Sequence, residues 1–161
     1  MGITIARKPE LDINGERWVH FKVGPDGLAV KCEKGSDTAS ILVASIANPI
    51  YKSHQAVIRR HLAALNQQAG VGTAGFTVDA IPDVELETDD DLFIDLATRH
   101  LIKDWQGIDI EERPGEPAAY TPQLCKALIE QMPGVYFLAL RTGLDIAKRI
   151  EEQVQATVEK Q

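Results

Sequence analysis

The spacing of hydrophobic residues changes twice along the chain. From Glu16 to Val23 (ERWVHFKV) apolar and polar residues alternate. Arg17, Val19, Phe21 and Val23 fall on one face and Trp18, His20 and Lys22 on the other, the period expected of a half-buried strand. Gly24-Pro25-Asp26-Gly27 follows as a turn signal, because proline presets φ and glycine permits positive φ. The chain then returns through Leu28–Gly35, with Leu28, Val30 and Cys32 on a common face, so residues about 16–34 read as a β-hairpin. A lone hairpin is marginal in water, and Ser40–Ser45 (SILVAS) is available as a further strand.

From Asn48 onward the period lengthens to that of helices. Asn48 is placed as an N-cap with Pro49 at the first helical position. The stripe Ile50, Val57, Ile58, His61, Leu62 and Leu65 carries this helix to about residue 68, where Gly70–Gly75 breaks it. Phe76–Glu87 fits neither period, and Pro82 argues against a central strand there. Thr88 and Asp91 have the spacing of a capping box, which opens a second helix over about 88–105. Leu92, Phe93, Leu96, Leu101 and Trp105 form its apolar face, and Gly107 stops it. After a charged loop, Ile108–Pro117, Thr121 and Pro122 open a third helix over about 121–132, with Leu124, Ala127 and Leu128 on one side. The last helix covers about 134–150 on the rhythm Leu140, Leu144, Ala147, Ile150 and Val154. The expected fold is therefore α+β, mainly α: a hairpin or small sheet followed by about four helices. Residues 1–146 form one domain, and 147–161 form a polar helical tail with a thin stripe of Ile146, Ile150, Val154 and Val158.

Composition and charge narrow the function classes. A chain of 161 residues, 44% hydrophobic and 25% charged, can bury a core without metals or disulfides. Its net charge of −7 is unsuited to a phosphate backbone, so no nucleic-acid partner is expected. Cys32 and Cys125 have no C-x-x-C spacing and read as ordinary thiols of a reducing compartment. No apolar h-region or run of membrane-spanning length is present, so a cytoplasmic location and no membrane partner are expected.

The candidate chemistry is thin. The acidic run Glu85, Glu87, Asp89, Asp90 and Asp91 lacks the order of a calcium loop and reads as a solvated helix start. His54 and His61 share a helix face but lack a ligand spacing, so no metal is expected; His61 and His100 read as half-buried packing residues and His54 as exposed. Gly70–Gly75 (GVGTAG) has no following lysine and is preceded by a helix, so it is a connector and not a phosphate loop. Neither a nucleophile elbow nor an activating signature around a cysteine occurs. Lys52, Arg59 and Arg60 read as a solvated face or a protein contact. No cofactor is expected, and the weight moves from enzyme to binding protein.

One corner is more particular. Lys103-Asp104-Trp105, Gly107, Gly115-Glu116-Pro117 and Tyr120-Thr121-Pro122, followed by Leu128 and Pro133, resemble the tail assembly chaperones of long-tailed bacteriophages. Trp18-Val19 and Asn48-Pro49-Ile50-Tyr51 fit the same order, and the likeness covers about 16–140. The loop Ile108–Pro114 is longer and more charged than typical, and residues 70–85 have no counterpart. Physically, Trp105 would close the core with its indole N–H seeking a loop carbonyl. Gly107 would supply a left-handed turn, Tyr120 would staple onto Leu124 or Cys125, and Thr121 with Pro122 would fix the helix entry. The resemblance implies a non-enzymatic chaperone that binds the tape-measure protein and aids assembly of the major tail protein. Ile146, Ile150, Val154 and Val158 would then be a partner or self-association surface, and a homo-oligomer is compatible. The alternative is a structural head–tail connector or neck component of a particle.

Overall fold

The computed structural model describes residues 2–7, 10–35, 37–81 and 89–159; within these, the side chains of residue 80 and of 150–159 are not described. It is α+β. Strands β1 (Glu16–Val23), β2 (Ala29–Cys32) and β3 (Ala39–Ala44) come first, then α1 (Pro49–Gln68) and α2 (Asp89–His100). Strand β4 (Ile102–Gln106) follows, and then α3 (Pro122–Gln131) and α4 (Gly134–Glu159). The sheet has four strands in the order β2-β1-β3-β4, all pairs antiparallel.

The alternation in β1 is realised: Val19 and Phe21 are buried. Register places Val19 opposite Ile41 and Ile41 opposite Trp105, so these three lie in one row across the inner face. The return strand differs from expectation. Val23 pairs with Ala29 and Lys22 with Val30, which puts Ala29 on the inner side and leaves Leu28 and Val30 exposed. Ala29 faces Gly134 at the start of α4, where strand and helix backbone lie close together.

The helix expected over about 88–105 is corrected at its C-terminal end. The capping Thr88 lies outside the described residues, as do Pro82, Glu85 and Glu87. The helix ends at His100, and Ile102–Gln106 is a strand paired with β3. A bulge explains the mistaken period. Trp105 pairs with Ile41, Asp104 with Leu42 and Ile102 with Val43, leaving Lys103 as the extra residue. Ile102 and Trp105 therefore face the core three residues apart, a helical spacing produced by a bulged strand.

Both proline-led helix starts form. The Asn48 side chain accepts from the N–H groups of Ile50 and Tyr51, and that of Thr121 accepts from Leu124. Helix α3 buries Cys125 and Ile129, one position on from the expected Leu124 and Leu128. Helix α4 buries Val135, Ala139, Thr142, Gly143, Ile146 and Ala147 against the sheet, while Leu144 stays exposed.

Gly143 is where α4 crosses closest. A Cβ there would come within 2.6 Å of Ile46 and 3.0 Å of both the Ala44 carbonyl and Leu101. The Ala44 contact is with backbone and cannot swing away. Gly143→Ala should overpack this crossing and cost about 1–3 kcal/mol, read as a lower urea midpoint.

Candidate functional site

The corner residues do come together, around a strand end and not a helix end. The indole Nε1 of Trp105 donates to the Ala118 carbonyl at 2.8 Å, the loop acceptor its burial requires. Tyr120 meets the Trp105 ring edge-on, with centroids 5.2 Å apart. Its hydroxyl is shared between the carbonyls of Thr98 and Ile102, the latter at 2.8 Å. Burial foremost, then Cys125 and Asp104, raise the Tyr120 pKa far above the ordinary phenol value, so it remains a neutral donor. Gly107 has φ +75°, and a side chain there would strike the Thr38 carbonyl. The loop 108–118 is tied at its neck by Ala118 N–H to Ile108 O at 2.9 Å, and inside by Gly115 N–H to Asp109 at 2.7 Å. The Trp105 indole N–H and the Tyr120 and Thr121 hydroxyls of this corner are all spent on the chain itself. They hold α2, β4 and α3 to one another.

Other candidates resolve similarly. Cys125 is wholly buried, and burial pushes its thiol up to about 11, the reverse of an activated nucleophile. Among the described residues no group of three or more His, Cys, Asp or Glu could hold a metal. No helix among them is long and apolar enough to cross a membrane. His20 contacts the Ser40 hydroxyl on the outer sheet face at 2.6 Å. His61 is exposed, in contrast to the expected half-buried packing role, while its neighbours Ile58, Leu62 and Leu65 on α1 are half-buried.

The terminal stripe is divided. Ile146 is 1% exposed and belongs to the core, so it is not an accessible contact residue. The side chains of Ile150, Val154 and Val158 lie outside the described residues. Beyond Ile146, Ala147 is buried and its carbonyl accepts from Asp12 N–H at 2.9 Å. Arg149 forms an ion pair with the Asp12 carboxylate. Burial alone would raise the Asp12 pKa; the N–H groups of Gly15 and Asn14, together with Arg149, outweigh it and lower that pKa. Contact with the body thus continues at least to Arg149.

The surface that sequence reasoning passed over lies between α1 and α2. Only Tyr51 of α1 is buried, while Ile50 and Val57 are 54% and 57% exposed. The two helices share one end, where Ala44 N–H donates to the Leu101 carbonyl just before α1 begins. His54 meets His100 edge-on with centroids 4.8 Å apart. Val57 and Ile58, one turn on, share a groove with Leu92 and Leu96, one to two turns back, so the helices run in opposite directions. The groove has a volume of about 410 Å³, an apolar floor, and Asp95, Arg99 and the two histidines at its walls. The stripe Ile50–Leu65 was legible in the sequence. Its exposure was not, because a surface stripe and a core stripe have the same period.

Two measurements probe this architecture. Tyr120→Phe strips the donor from two carbonyls and should cost about 1–3 kcal/mol, seen as a lower urea midpoint with unchanged slope. The His100 pKa is lowered from the ordinary 6.5 by burial first, then by His54, Lys103 and Arg99. Protonation then favours the unfolded chain, so stability should fall as pH drops below about 6.5. His100→Gln should flatten that part of the stability–pH curve, compared by urea midpoints across pH 7.5 to 5.5.

No solved structure matches the chain. Residues 46–160 match the family described as YdaY prophage protein. That segment starts two residues after the end of β3 and takes in α1 to α4 and β4. Protein YdaY of Escherichia coli (strain K12) is 37% identical over 114 residues, covering 70% of this chain and 94% of that protein. The chain is a member of the YdaY prophage protein family.

Proposed function

We propose that this prophage protein is a non-enzymatic tail assembly chaperone of the bacterial cytoplasm. It binds the tape-measure protein and keeps it available while the major tail protein assembles around it. The observation that carries this reading is the open α1–α2 groove. A tape-measure protein is long, helical and apolar, and an amphipathic helix laid into an apolar groove is the contact such a partner offers. A 20-residue helix that buries only Tyr51 exposes apolar side chains that a chain with no partner would gain by covering. The Trp105–Tyr120 corner supports the same reading through its likeness to phage chaperones, since it fixes α2, one wall of the groove.

The test is co-expression with the long helical protein encoded downstream. The soluble fraction of that protein should rise severalfold, and the two should co-purify. A truncation after Arg149, which spares Ala147 and the Asp12 ion pair, reports on the tail separately. No rise and no co-purification, with this chain well folded, would reject the chaperone and favour a component built into the particle.

A further inference from the structure

On the face of α2 turned away from the groove, Asp90 and Ile94 line a separate cavity of about 270 Å³. Ile129 and Glu130 of α3 close one side of it, and Tyr136 and Phe137 of α4 another. Ile129 is buried, while Phe137 stands 65% exposed beside Tyr136, with ring centroids 5.7 Å apart. Asp90 and Glu130 are exposed and make no ion pair among the described residues. No basic side chain lines the cavity. Lys126, one turn before Glu130, is taken by Asp95 at 3.3 Å, and Arg141, one turn past Phe137, pairs with neither carboxylate. The residues leading into α2, 82–88, carry three carboxylates and no cation. The cavity is thus apolar within and negative at its rim, and its surroundings supply no countercharge.

The matching chemistry occurs in the same chain, before β1. Ile3 and Ile5 are 99% and 93% exposed, more than any other large hydrophobic residue among those described. Arg7 is exposed as well and makes no ion pair among the described residues. No carboxylate precedes Glu10. In an extended chain Ile3, Ile5 and Arg7 fall on one side, about 7 Å from each to the next. We propose that this arm docks in the Asp90–Glu130 cavity of a second copy of the chain, with Ile5 against Ile94 and Phe137 and Arg7 between the two carboxylates. The arm's own cavity suits it poorly. Asp12 is held to Ala147 and Arg149, late in α4. Ala147 lies about 15 Å along the helix from Phe137, and the chain from Asp12 back to Arg7 spans at most about 17 Å. Arg7 would reach its own Phe137 only on a straight run, with the carboxylates still further off on α2 and α3. A second copy has no such limit. The contact is independent of the chaperone reading.

Sedimentation velocity on the full chain over a wide range of concentration should show reversible self-association. Arg7→Glu and Glu130→Lys, both at exposed positions, should each weaken it by about tenfold, because an attraction becomes a repulsion. Ile5→Ser should weaken it too, by removing apolar contact. Mixing the Arg7→Glu and Glu130→Lys proteins should restore association: the glutamate arm of one meets the lysine cavity of the other, and the reverse contact is the native one. Circular dichroism confirms that each variant is folded. A chain that stays monomeric at every concentration would overturn the proposal, as would association indifferent to Arg7→Glu or to Glu130→Lys. Recovery in the double variant but not in the mixture of single variants would return the arm to its own cavity and overturn the exchange. Association lost in Val57→Asp but kept in Arg7→Glu would assign the interface to the α1–α2 groove instead.

Discussion

The pairing of β3 with β4 is the constraint on which the other features depend. Ile41 on β3 lies between Val19 on β1 and Trp105 on β4, and that row is the floor on which the helices pack. Pairing stops α2 at His100 and turns the chain into a strand. It also puts Trp105 where Ala118 and Tyr120 can reach it. Because β3 leads into α1 and α2 leads into β4, the same pairing brings the start of one helix to the end of the other. The groove between them is a geometric consequence of two neighbouring strands.

The core and the groove divide the helices differently. Helix α4 lies close to the sheet through Ala139, Gly143 and Ala147, where small residues allow backbone to approach backbone. Helix α2 buries Leu96, Ala97 and Thr98 and turns Leu92 and Arg99 to the groove. Helix α1 gives the core little beyond Tyr51. The apolar content of the chain is thus distributed between stability and an accessible surface, and this surface sits on the segment shared with the YdaY family.

Residues with local signatures were the most legible. Asn48-Pro49 and Thr121-Pro122 predicted two helix starts because a cap and a preset φ act within one turn. The indole of Trp105 was expected to find a loop carbonyl, and it does. Expectations failed where a distant partner decides the outcome. Leu101–Gln106 has the spacing of a helix, but β3 recruits it as a strand and the bulge at Lys103 disguises the register. Ile146 belongs to the same stripe as the polar tail, but the loop at Asp12 and Gly15 covers it. The α1 stripe was read correctly as apolar, while its exposure depends on the position of α2, which no local pattern encodes.

The corner at Trp105 has one more effect, on solubility. Strand β4 lies at an edge of the sheet, and an edge with free N–H and C=O groups invites another extended chain to add to it. Here the Trp105 N–H is taken by the Asp104 carboxylate at 2.8 Å, and the Ile102 carbonyl by Tyr120. Lys103 and Asp104 are both exposed because of the bulge. Two of the backbone groups of this edge are thus engaged by side chains of its own neighbourhood, which leaves fewer free for strand addition.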